Sequence, residues 1–145
     1  MTCIADANVL FPLLVQGHVA HEAAMEWWET QSDDSVGLCL LTRLAVLRLL
    51  THRAAMNGAP ITPDAALKAW RQLANDPRSL FRDADPTLHE PVFVTLVSGR
   101  QPSPNPWADA WLAALAVTLE CELTTFDRGF QSFKGLRVRL LSVPG

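Results

Sequence analysis

Residues 106–130 read PWADAWLAALAVTLECELTTFDRGF, and this stretch decides the fold. Asn105-Pro106 opens a helix, because proline suits the first helical position and lacks only an N–H that would be unpaired there. The helix is expected over 106–121, with Ala110, Ala113, Ala114 and Val117 forming a small apolar face beside Leu112, Leu115 and Leu119. Leu123 to Phe126 then reads as a strand, Arg128 to Phe133 as a short helical turn, and Val138 to Val143 as a last strand. Asp127 directly follows the 123–126 strand, and Asp109 stands in the first turn of the helix.

Working back toward the start, Cys3-Ile4-Ala5 is a short apolar run that ends at Asp6, the pattern of a buried first strand. Val9 to Val15 continues apolar and is broken by Pro12. Residues 18–30 carry Ala20, Ala23, Ala24, Trp27 and Trp28 on one helical stripe, with Glu22, Glu26 and Glu29 opposite. Val36 to Leu41 reads as a second buried strand. Thr42 caps a helix expected to run to about Met56, stopped by Asn57-Gly58. Thr62-Pro63 starts another, ending near Asn75 because Pro77 disfavours helix before it. Pro86-Thr87 begins the next, with Glu90 completing a capping box and Gly99 closing it. Residues 99–106, GRQPSPNP, form a loop too short to link domains. Strands separated by helices imply crossover connections and a parallel sheet.

The chain has 145 residues, a length that suits one domain spanning 1–145 with its own core. Hydrophobic residues at 49% and charged residues at 19% exclude a disordered chain. No apolar run approaches the roughly 20 residues of a membrane span, and no basic-then-apolar leader opens the sequence. Cys3, Cys39 and Cys121 are far apart and set among apolar residues, so buried thiols in a reducing compartment are expected, and with them the cytoplasm. Net charge is −3, which gives nucleic-acid binding no bulk support. Its distribution is uneven. Residues 1–34 hold Asp6, Glu22, Glu26, Glu29, Asp33 and Asp34 and no Lys or Arg, whereas 35–82 hold Arg43, Arg48, Arg53, Lys68, Arg71, Arg78 and Arg82 against Asp64 and Asp76. Such asymmetry sets a basic face beside an acidic pocket, or simply solvated helix faces.

In an open parallel sheet the working crevice lies beyond the carboxyl ends of the strands. Asp6 and Asp127 end strands there, and Asp109 begins a helix that faces it. Three carboxylates aimed at one place repel each other unless a cation joins them, and hard oxygen ligands point to Mg²⁺ or Mn²⁺. Each aspartate also has an ordinary structural reading: Asp109 at a helix dipole, Asp127 as a cap, Asp6 in a strand-end turn.

The flanking residues add a resemblance. Residues 4–10, IADANVL, 107–116, WADAWLAALA, and 124–130, TTFDRGF, resemble in order and spacing the motifs of PIN domains, and the stretch 41–52 is similar to toxins of VapBC-type toxin–antitoxin systems. The resemblance implies an α/β fold, a three-layer α/β/α sandwich with a central, mainly parallel sheet. It implies a metal-dependent endoribonuclease with Asp6, Asp109 and Asp127 as catalytic and metal-binding residues, a cognate antitoxin as partner and a homodimer. The alternative is a PIN-fold module that binds RNA or protein without cutting. The pattern departs at one place: a further acid, typically Glu, is expected near the start of the helix after the second strand, where this chain reads Thr42-Arg43-Leu44-Ala45. The carboxylate set is then one short, which implies weaker metal binding or one ion instead of two. Asn8, Thr125 or waters are candidates to complete the shell, Glu22 a weaker one, with Thr42 and Arg48 as further supporting residues. Arg48 would clamp a phosphate or make a surface ion pair. His18, His21, His52 and His89 suit capping and packing better than metal, and the five tryptophans suit the core, with Trp107 also placed to stack on a base. No Gly-rich phosphate loop, Ser-His-Asp set or Cys nucleophile is present.

Overall fold

A computed structural model of the chain describes residues 1–103 and 106–144. Five parallel strands form one sheet in the order β3-β2-β1-β4-β5. They are β1 (Cys3–Ala5), β2 (Val36–Leu38), β3 (Ser79–Phe81), β4 (Glu122–Thr125) and β5 (Val138–Leu140). The helices are α1 (Ala7–Leu14), α2 (His21–Glu29), α3 (Leu40–Leu50), α4 (Pro63–Ala74), α5 (Pro86–Val97) and α6 (Pro106–Thr118), with a 3₁₀ turn at Arg128–Ser132.

The central strand shows why the sandwich has two cores. Side chains alternate across a strand, so Cys3 and Ala5 pack with α1, α2, α3 and α4 residues such as Val9, Trp28, Val46 and Trp70. Ile4 points the other way, into Ala110, Ala113, Leu115 and Phe130. All three residues of β1 are buried, as expected for a strand covered on both faces. In register, Ile4 lies opposite Gly37 of β2 on one side and Leu123 of β4 on the other. The three-layer α/β/α architecture is as read from the sequence.

Several elements differ in detail. The residues between α4 and α5 give no strand signal in the sequence, yet Ser79–Phe81 forms edge strand β3. Three residues, with Phe81 exposed, are too few to show alternation. The Val9–Val15 run is helical, with Pro12 inside α1. Thr42 is not the cap of α3. Cys39 holds that position, and Thr42, one turn in, accepts from the Cys39 N–H at 3.2 Å. The helix ends at Leu50, not near Met56, and turns carry the chain on to Gly58. Asp85 rather than Thr87 caps α5, accepting from the Thr87 N–H at 2.9 Å. α4 is capped as expected, Thr62 Oγ1 accepting from the Ala65 N–H at 3.2 Å. The cysteines are buried and free. His89 is buried, its Nε2 lying 2.8 Å from the Trp111 carbonyl oxygen. Among the described residues no helix is long and apolar enough to cross a membrane. The proposed cap Asn105 lies outside the described residues.

Candidate active site

The carboxyl ends of β1 and β4 lie side by side, and the next residues of each strand build the site. Asp6 follows β1, its N–H extending the ladder to the Thr124 carbonyl at 2.9 Å, and stands at the cap position of α1. Its Oδ2 accepts from the Thr125 hydroxyl at 2.8 Å. That hydroxyl also accepts from Asn8 Nδ2 at 3.1 Å and from the Asp127 N–H at 3.0 Å. A threonine hydroxyl has one proton and two lone pairs, so all its capacity is spent on holding these three groups. Asn8 completes the link, its Oδ1 accepting from the Phe126 N–H at 3.2 Å.

Asp127 is exposed and caps the 3₁₀ turn, Oδ1 accepting from the Gly129 N–H at 2.8 Å. Gly129 leaves room for this: a Cβ there would stand 3.1 Å from that same oxygen. Asp109 reaches the site from the first turn of α6. Burial pushes Asp6 up to about 6, against the opposing pull of the Thr125 hydroxyl, and the Asp109 charge adds to the rise. Asp109 is itself raised by burial and then by Asp127. The three carboxylates thus feel each other in series, Asp127 on Asp109 and Asp109 on Asp6. They do not form a closed cage: among the described residues, no three His, Cys, Asp or Glu side chains are grouped as ready ligands for one ion.

Residues 3–136 match the family described as PIN domain. The chain belongs to this family. Over 143 residues it is 33% identical to the ribonuclease VapC41 of Mycobacterium tuberculosis (strain ATCC 25618 / H37Rv), covering 96% of this chain and 98% of that protein. Among solved structures it is similar to VapC20 of Mycobacterium tuberculosis, a Sarcin-Ricin loop cleaving toxin, with a TM-score of 0.66 at 19% identity over 94% of this chain and 99% of that one. VapBC-1 from nontypeable Haemophilus influenzae gives 0.65 at 18% identity, over 97% and 98% respectively.

Of the supporting residues suggested by the sequence, Thr42 bonds within the first turn of α3 and Arg48 stands in its last turn. Thr42 is buried and its hydroxyl is occupied by Cys39. Arg48 is exposed in the last turn of α3, roughly 12 Å along the axis from Leu40 at 1.5 Å per residue. Since α3 leaves the carboxyl end of β2, Arg48 is carried away from the crevice. Glu22 lies on the far helix α2, beside His21 and Met25. At the start of α3 the sequence supplies no acid, but the fold brings one from beyond β3: Asp83 Oδ2 accepts from the Leu40 N–H at 3.1 Å. Its charge acts on Cys39, whereas Asp109 is the acid that acts on Asp6. Sequence reading missed Asp83 and Gly129. Asp83 carries no sequence signal, since its contact spans 43 positions; Gly129, two residues after Asp127 in TTFDRGF, is the kind of small residue such a turn needs.

Proposed function

We propose that this PIN domain is a single-domain, cytoplasmic endoribonuclease, the toxin of a type II toxin–antitoxin pair, with Asp6, Asp109 and Asp127 as its catalytic residues. The observation that carries the proposal is that Asp6 and Asp127 follow the neighbouring strands β1 and β4 and share the Thr125 hydroxyl, with Asp109 in the first turn of α6. Carboxylates whose ionised forms are opposed by burial and by each other suit a hard divalent cation, and the all-oxygen donor set suits Mg²⁺ or Mn²⁺. The open arrangement fits an ion that keeps several waters, as Mg²⁺ does. When bound, the metal supplies charge neutralisation and water activated at neutral pH. The chain's own residues do the positioning. Thr125 fixes one oxygen of Asp6, Gly129 fixes one of Asp127, and α6 presents Asp109. The names of the relatives support RNA as substrate and an antitoxin as partner; a homodimer is part of the same proposal.

The test is incubation of the purified protein with bacterial RNA and Mn²⁺. Discrete cleavage, lost with chelator and lost in Asp6→Asn and Asp127→Asn, is expected. Equal cleavage by wild type and both variants would overturn the assignment. RNA bound but never cut would favour the non-catalytic PIN-fold module.

A further inference from the structure

A guanidinium lines the cleft beside Asp109. A cleft of about 490 Å³ is lined by Arg100, Asp109, Gly129, Ser132 and Phe133, among others, so a guanidinium and a site carboxylate border one space. Local structure puts the arginine there. Gly99 takes φ +76°, a conformation that costs glycine nothing, and turns the chain as α5 ends. The Arg100 N–H closes that turn on the Val97 carbonyl at 3.3 Å.

The side chain is then held by two neutral partners. Arg100 Nη2 donates to Ser132 Oγ at 2.6 Å, and Ser132 Oγ donates in turn to the Gly129 carbonyl at 2.8 Å. The guanidinium carbon lies 4.3 Å from the ring centroid of Phe133, which is buried in the core. A surface arginine that samples many rotamers pays for ordering when it binds. This one is already ordered by a core ring and by the turn that Asp127 caps. Ser132 takes one of five N–H donors in a fork whose geometry matches phosphate oxygens.

Arg100 and Asp109 border the same cleft, and among the described residues no ion pair joins them. A ligand that satisfies both walls must offer a phosphate to a metal-seeking acid and a second anion a short distance away. A polynucleotide backbone does so.

We infer that Arg100 binds the backbone phosphate of RNA next to the one at the aspartates. The inference rests on the RNA reading above and assigns a substrate contact that Arg48, carried off by α3, does not make.

The test measures binding and cleavage separately. A fluorescent single-stranded RNA 20-mer of mixed sequence is titrated by anisotropy, with chelator, in the Asp6→Asn background at several KCl concentrations. Adding Arg100→Gln is expected to weaken binding about tenfold, as for one charge-assisted contact. It should also flatten the slope of log K against log[KCl] by about 0.7, the value for one phosphate on a single strand. Arg100→Lys should keep the slope and lose part of the affinity. With Mn²⁺ and otherwise wild-type protein, Arg100→Gln should raise KM more than it lowers kcat. An unchanged salt slope and KM in Arg100→Gln, with wild type cutting RNA, would overturn the phosphate site alone. Arg100-dependent binding without any Mn²⁺-dependent cutting would refute the nuclease reading and leave the site standing. Absence of RNA binding by the parent protein would refute both.

Discussion

The Thr125 hydroxyl donates to Asp6 Oδ2 at 2.8 Å across 119 positions of sequence. It joins the ends of β1 and β4 at the site, since Asn8 and the Asp127 amide both donate to it.

Thr125→Val keeps the shape and removes the hydroxyl. The Asn8 amide and the Asp127 N–H then lose their acceptor, which costs about 1–3 kcal/mol for groups left unpaired out of water. Asp6 loses the bond that favours its charged form, so its pKa should rise further. Urea unfolding and carboxyl-detected NMR titration of Asp6 check both effects. Thr125→Ser should restore most of the loss; a valine variant as stable as wild type would remove Thr125 from its central place.

The contribution of Asp6 to stability without metal should fall as pH rises from about 4 to about 6. Asp6 has a folded value near 6 against an ordinary 3.8, so within that window the folded chain keeps a proton the unfolded chain has released. The fold is favoured at the acid side and loses that advantage as pH climbs through the folded value. Asp109, also raised, acts with the same sign. Asp6→Asn should remove much of the slope, melt no lower than wild type at pH 7 in chelator, and lose most of the Mn²⁺-induced rise in Tm. Paired thermal melts at pH 4.5 and 7 decide it. A wild-type-minus-variant difference that does not change with pH would contradict the burial assigned to Asp6.

Trp107 is 59% exposed, two residues before Asp109, with its ring 6.3 Å from Phe93. Trp107→Ala should change stability by no more than about 0.5 kcal/mol, as for surface sites without special contacts. If the ring stacks on a base, RNA affinity should drop by about 1–3 kcal/mol. Anisotropy with the same RNA 20-mer checks this, and equal affinities would leave Trp107 as packing alone.

Gly37 stands in β2 opposite Ile4, where an added Cβ would meet Ile4 Cδ1 and Met1 Sδ at 2.5 Å and the Cys3 carbonyl oxygen at 3.1 Å. Ile4 is fully buried and the backbone oxygen is fixed in the ladder. Gly37→Ala should therefore cost about 1–3 kcal/mol, as overpacking usually does, measured by denaturant midpoint. A neutral result would show that Met1 and Ile4 yield freely.

What was legible in the sequence depended on how local the signal was. Thr62-Pro63 is a cap followed by proline, and α4 starts there. The small apolar face of α6 and the aspartates at strand ends are also short-range patterns, and the fold sets Asp109 within charge range of Asp6 and of Asp127. β3 was hidden because three edge residues with one exposed have no period to read. α1 was hidden by Pro12, which ordinarily argues against a helix interior. Thr42 misled because Thr suits a cap, yet Cys39 precedes it by one turn. Asp83 and Arg100 reach their places only through tertiary contacts, Asp83 to Leu40 and Arg100 to Ser132, and neither contact leaves a mark in nearby sequence.

The central position of β1 has a consequence for synthesis. Its partner β4 is made last but one among the strands, so a ribosome adding roughly 5–20 residues per second needs roughly 6–24 s to go from Asp6 to Thr125. Throughout that interval the nascent chain lacks Asp127 and the hydroxyl that sets Asp6. Translation therefore leaves Asp6 without its Thr125 partner until β4 has been made, long after β1.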